Sequence, residues 1–233
     1  MFIVKLFKIT VVVWFIHVIS VFYGLHLSFL TIGGIGPQSI YLQILAGLLI
    51  VDFLSWLHHM LRHKIQFFWH FHALHHSQKE MNMFTDFRVH FMDMLMAAPI
   101  ITIPLLILDL DPPQITLTIL IKTFLPKLYH ANIKTNLGIL RYILVTPQSH
   151  RIHHSIEPNH INHNYGVIFS IWDHLFRTQY RDYDVYPDTG IEDNGFPLNE
   201  NDKKFPSFLM IAKQLVYPLS SYWRSLHITK NYQ

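Results

Sequence analysis

Residues 40–77 read IYLQILAGLLIVDFLSWLHHMLRHKIQFFWHFHALHHS. An apolar run from Ile40 to Leu57, interrupted only by Gln43, Asp52 and Ser55, passes without a proline into His58-His59-Met60-Leu61-Arg62-His63. About 20 apolar residues span a bilayer, so this stretch predicts a membrane helix that ends in histidines. His59 and His63 are four apart and share one helical face, whereas His58 points about 100° away from His59. The next turns, Trp69 to His76, place His72, His75 and His76 at i, i+3 and i+4, again on one face, with His70 off it. Thr146-Pro147-Gln148-Ser149-His150-Arg151-Ile152-His153-His154 repeats that spacing as His150, His153 and His154, and Pro147 marks a helix start. Two single histidines, His90 and His130, sit in polar settings near predicted helix ends.

The rest of the 233 residues agrees with a membrane setting. Hydrophobic residues make up 51% and charged residues 14%, against roughly 25% charged in a soluble domain. Phe2 to Leu30 is apolar apart from Lys5, Lys8, His17 and His26. It is too long for a signal-peptide core and lacks a small-residue cleavage site, so it is expected to be a retained first helix, broken at Gly33–Pro37. Met94–Leu108, with Pro99 and Pro104, and Ile115–Leu128, with Lys122, are shorter runs joined by an Asp-Pro-rich turn, expected as spans or a re-entrant hairpin. From Arg141 the chain turns polar. Residues 180–205 read as loop and 207–226 as an amphipathic helix on the membrane surface. The expected fold is all-α: an integral membrane protein of about four transmembrane or re-entrant helices with a histidine-rich helical cap, forming one domain over 1–233. Its core motifs lie at about 45–180, followed by a partly irregular tail at 181–233.

Basic residues orient it. The loops at 33–39 and 109–114 have no Lys or Arg, while the N-terminal end, the 58–93 segment and everything from Lys127 onward carry all but Lys122. The positive-inside rule therefore puts both termini and all the histidine clusters on the cytoplasmic side. The net charge of +3 is scattered through an apolar chain, which argues against nucleic-acid binding. With no cysteine, disulfides, iron–sulfur clusters and a thiol nucleophile are excluded, and no Gly-rich nucleotide loop is present.

Neutral imidazole is the commonest side-chain metal ligand. A single zinc takes three or four protein ligands, so eight to ten converging histidines overfill one site and suit two metals of higher coordination number with positions open to oxygen. Isolated histidines are more often surface or capping residues, and His17, His26, His58, His70, His160, His163, His174 and His227 stay in that class. Burying the clustered rings without partners would cost too much, which leaves metal binding.

In these residues the chain resembles the sterol desaturase and fatty acid hydroxylase superfamily of membrane enzymes. The boxes match in order: His59/His63, His72/His75/His76 and His150/His153/His154. Asp52, Leu74-His75-His76-Ser77, Arg88-x-His90 with Asp93, His130-Ala131-Asn132, Asn164-Tyr165-Gly166 and Trp172-Asp173-x-Leu175-Phe176-x-Thr178 extend the match. The resemblance implies two iron ions (zinc being possible as isolated), dioxygen as co-substrate, a membrane lipid as substrate and electrons from an external donor protein. It implies metal ligation by the eight box histidines and also by His130 and His90. Asp52, Asp93, Asn132, Asn164 and Asp173 would orient imidazoles through their second ring nitrogen. Met60, His70, Asp93 and Arg177 depart from the family's usual residues without removing a ligand. The expected activity is oxygen-dependent hydroxylation or desaturation of a lipid such as a fatty acyl chain or sterol. A dizinc membrane hydrolase and a non-catalytic metal-binding protein are the alternatives. Transport would need histidines along a path through the bilayer, where only His17 and His26 lie.

Overall fold

The structure is a computed structural model that describes residues 2–32, 38–110, 112–192, 195–197 and 208–228. The Gly33–Pro37 break expected from sequence lies outside the described residues. Among the described residues eight α-helices carry the fold: α1 (Phe2–His26), α2 (Ile40–Lys64), α3 (Gln66–His76), α4 (Phe91–Ile107), α5 (Pro112–Tyr129), α6 (Pro147–His153), α7 (Ile171–Leu175) and α8 (Phe208–Ile228). Extended structure among the described residues is limited to two isolated bridges, Leu144 with Phe169 and Ser155 with Thr189. The fold is therefore all-α, as expected.

Helix α2 is long and apolar enough to cross a bilayer. Val13–His26 of α1 and the whole of α4 are shorter apolar helices. α1 packs on α4, and α2 packs on α5, α3 and α4. Pro99 and Pro104 lie inside α4, and Pro126 inside α5, without ending either helix. At Gly47 the α2–α5 crossing is close: a Cβ there would stand 3.0 Å from Thr118 Oγ1. Val51 of α2, Leu105 of α4 and Leu110 of the turn after α4 form a small apolar core.

The two ends of α2 contrast. Ile40, Tyr41, Leu42 and Leu45 at its start are exposed, as are Trp14, Phe22 and Leu25 of α1. So much contiguous exposed apolar surface marks a face that meets something other than water. The last turns of α2 are covered instead by the loops and short helices after residue 130, and there the buried groups are polar. Asp52 joins the halves. Its carboxylate accepts from the Ile168 and Phe169 amides (2.7 and 3.0 Å) and from Trp172 Nε1 (2.9 Å). In return Asp173 of α7 accepts from Trp56 Nε1 of α2 at 2.9 Å.

Candidate metal centre

Each motif is set locally. α2 runs unbroken to Lys64, so His59 and His63 leave its last turns on one side. Ile65 is extended (φ −102°, ψ 114°) and redirects the chain into α3. α6 is only seven residues long, but Thr146 and Ser149 form a reciprocal capping box and Pro147 occupies its first turn, which fixes where the helix begins. His150, His153 and His154 are thereby held in register.

These helices bring nine histidines together in two groups. His59, His63, His72, His76 and His153 form one; His75, His130, His150 and His154 form the other. Within each group the ligand-capable atoms all lie within 4.8 Å of one another. The repeated spacing is divided in a reciprocal way. α3 sends its i and i+4 histidines (His72, His76) to the first group and its i+3 histidine (His75) to the second. α6 sends i and i+4 (His150, His154) to the second and i+3 (His153) to the first. The groups adjoin, with the rings of His76 and His154 stacked at 4.2 Å.

The nitrogens are poised for cations. His59 Nδ1 donates to the Tyr165 carbonyl (2.9 Å), His153 Nδ1 to the His163 carbonyl (2.8 Å) and His130 Nδ1 to the Pro126 carbonyl (2.7 Å). A carbonyl only accepts, so Nε2 of each of these rings carries a bare lone pair. His72 Nδ1 lies 3.2 Å from Asp93 Oδ2 and 3.3 Å from Arg62 Nη1, which itself donates to that oxygen at 2.9 Å; where Nδ1 donates to the carboxylate, His72 Nε2 is left bare as well. The bare nitrogens of His59 and His72 face each other at 3.1 Å, which is repulsive unless a cation lies between them. His153 Nε2 is buried with no hydrogen-bond partner. Neighbouring Nε2 atoms are 2.9–3.3 Å apart in both groups. This fits the edge, about 3.0 Å, of an octahedron with metal–nitrogen bonds of about 2.1 Å.

Burial pushes His72, His75, His76, His150 and His154 well below the ordinary imidazole range, with neighbouring cations and histidines adding to it. It lowers His153 to about 3 and also lowers His130. All are therefore neutral at pH 7, the form that binds metal.

His90 is not brought into either group. It caps α4, its Nδ1 accepting from the Met92 amide at 3.1 Å, while Nε2 donates to the Leu215 carbonyl of α8 at 3.1 Å. With both ring nitrogens engaged, it is a structural tie rather than the ligand that its motif implied.

Of the five expected orienting groups, Asp93 alone touches an imidazole. Asp52 binds the 168–172 backbone and Trp172. Asp173 accepts from the Tyr165 and Gly166 amides (2.9 and 2.7 Å) and Thr178 Oγ1 (2.6 Å), reaching His59 only through the Tyr165 carbonyl. Asn164 ties the Ser149 carbonyl to the Tyr180 amide, both at 2.8 Å. Asn132 is exposed and accepts from Arg151 and Tyr186. Sequence reasoning missed Arg62 and the carbonyls of Tyr165, His163 and Pro126. A cation closing an apolar run was a usable signal for Arg62; a backbone carbonyl leaves no mark in the sequence.

A helical chain with two adjoining, buried, all-histidine groups and a membrane-length helix is of the histidine-box class. The fatty acid hydroxylase family model matches residues 44–178, a stretch that holds all nine grouped histidines, and the chain belongs to that family. It is 36% identical over 136 residues to ornithine lipid hydroxylase OlsE of Rhizobium tropici, covering 58% of this chain and 41% of that protein. It is 32% identical to the alkylglycerol monooxygenases of Caenorhabditis elegans (54% of this chain, 25% of that protein) and Homo sapiens (55% and 28%). The matched stretch thus spans less than half the length of these relatives. No solved structure matches the chain.

Proposed function

We propose that this chain is an oxygen-dependent, membrane-bound lipid hydroxylase that uses two iron ions. The observation that carries the reading is the pair of adjoining groups in which neutral imidazoles turn bare Nε2 lone pairs toward one another. His59, His63, His72, His76 and His153 would hold one ion, and His75, His130, His150 and His154 the other. When bound, two such ions supply the activation of dioxygen needed to oxidise an unactivated C–H bond. The five imidazole donors of the first group exceed the four of a structural zinc site and favour a metal of higher coordination number such as iron.

The chain's own residues do the rest. The Tyr165, His163 and Pro126 carbonyls and Asp93 fix ring orientation and tautomer. Arg62 balances the Asp93 charge. Burial of the rings keeps bulk water from the reacting centre. The activities named for the relatives, an ornithine lipid hydroxylase and alkylglycerol monooxygenases, favour oxygen insertion over desaturation and a lipid with a polar head as substrate. The apolar helices would cross the bilayer more than once, with the histidines and both termini on the cytoplasmic side, and reducing equivalents would come from a separate donor protein. The test is turnover of membrane lipid extracts by iron-loaded protein with reductant under ¹⁸O₂. Labelled oxygen in the product is expected. Turnover without dioxygen or reductant would overturn the reading and point to a hydrolase.

A further inference from the structure

Helix α8 lies outside the metal centre and is unusual on both sides. Its inner side is anchored: Tyr217 packs with Phe196 against Ala73 and Leu74 of α3, the residues between His72 and His75. The Leu215 carbonyl takes the His90 bond at the start of α4, which places α8 at the level where the apolar helices meet the cap. Its outer side is apolar and exposed. Leu209, Val216, Leu219 and Trp223 are 64%, 58%, 63% and 64% exposed and fall along one stripe at helical spacing.

A groove of about 430 Å³ runs along α8 beside Gly195 and Pro197, within the range of about 300–1,000 Å³ usual for small-molecule sites. Leu209, Val216 and Tyr217 give it an apolar lining, and Lys213 and Arg224 stand at its rim. Those cations are eleven residues apart, close to three turns or about 16 Å along one face. α8 has no acidic residue, and neither cation has an ion-pair partner among the described residues. An apolar trough edged by two cations, next to a surface stripe that ends in a tryptophan, matches a lipid with a negative head.

We propose that the α8 groove binds an anionic phospholipid of the surrounding bilayer, with an acyl chain against Leu209, Val216 and Tyr217, its phosphate at one of the two rim cations, Lys213 or Arg224, and the other cation adding to the positive field of the rim. Because Tyr217 rests on Ala73 and Leu74, an occupant there braces the helix that carries His72, His75 and His76. The lipid is thus a fixed part of the protein and not its substrate. The inference rests on the placement of the chain in a bilayer and is independent of the chemistry at the metals.

The experiment uses metal-loaded protein in detergent, titrated with phosphatidylglycerol, phosphatidylcholine, or inorganic phosphate. Phosphatidylglycerol at about ten times its dissociation constant is expected to raise the melting temperature by about 3–5 °C, with little effect from the other two. Lys213→Glu/Arg224→Glu should lose that increment while keeping the metal content and melting temperature of the unsupplemented protein. Chain-brominated phosphatidylglycerol should quench wild-type fluorescence more than that of Trp223→Phe. An equal rise with phosphatidylcholine, the same rise with phosphate alone, or an increment retained in the double variant would each overturn the proposal. Measuring oxygen-dependent turnover on the same samples keeps its failure distinct from failure of the oxygenase reading.

Discussion

The two histidine groups are built from the same spacing but are not equivalent. The first has five members and the second four, because α2 gives a pair, His59 and His63, where the segment after α5 gives only His130. Their anchoring differs too. In the first group His59, His72 and His153 are each held through Nδ1 by a carbonyl or by Asp93. In the second, His130 is so held, whereas Nδ1 of His150 and of His154 are buried with no partner. The first group is the more firmly anchored, and the second has one fewer donor and fewer anchored rings. If each group holds one ion, the second would keep a position open and lose its ion first.

The largest effects come from removing a member of either group. His153→Ala and His150→Ala should each reduce lipid turnover by more than about 100-fold, because the two ions act as one unit. They should part in chelator resistance: His150→Ala should keep one slowly exchanging ion, and His153→Ala should lose that slow phase. Equal exchange in both variants would erase the distinction between the groups.

Gly166→Ala strikes the support of the first group alone. The new Cβ would stand 2.7 Å from Val145 Cγ2 and 2.9 Å from the Phe169 carbonyl, next to the Tyr165 carbonyl that holds His59. A stability loss of about 1–3 kcal/mol and weaker metal retention are expected in denaturation and metal assays. Asp93→Asn keeps the shape but removes the charge beside His72. A drop of about 10–100-fold in metal affinity of the first group is expected, with the second unchanged in a competition titration.

Acid sharpens the picture for both groups. The folded chain holds these imidazoles below their unfolded value of about 6.5, His153 at about 3. Below about pH 6.5 the unfolded chain therefore binds more protons than the native one. Stability of the metal-free protein is full above that pH and falls progressively toward pH 3. Denaturant midpoints at about pH 7.5 and 5.5 should show the loss; a flat profile would contradict the burial of neutral rings. The smallest effect is at Arg177, whose φ is 59°, a left-handed conformation that favours glycine. Arg177→Gly should stabilise by up to about 1 kcal/mol without changing metal content.

The sequence made much of this legible. Periodicity marked the helices, the i, i+3, i+4 spacing marked six of the nine grouped histidines and the i, i+4 pair His59/His63 two more, with His130 added by resemblance. The reciprocal division was not legible. Spacing puts three rings on one face, but which group each ring joins depends on the α6 rings it meets across the gap, His75 facing His154 and His76 facing both His153 and His154. His90 misled because its local motif could not reveal that α8 would pass over it. Asp52 and Asp173 were expected to orient imidazoles, yet Asp52 binds amides and an indole 116 to 120 positions away, and Asp173 binds an indole 117 positions away and amides 7 and 8 away. His163 was set aside as background, and its ring stays so; its carbonyl is what holds His153.

The most direct test of the central claim is the metal content and Mössbauer spectrum of iron-loaded wild-type protein beside His130→Ala. The account predicts about two iron ions per chain in the wild type, in two distinguishable nitrogen-rich environments, and about one in the variant, with the signal of the five-histidine group retained. A single ion per wild-type chain, or an unchanged spectrum in His130→Ala, would contradict it.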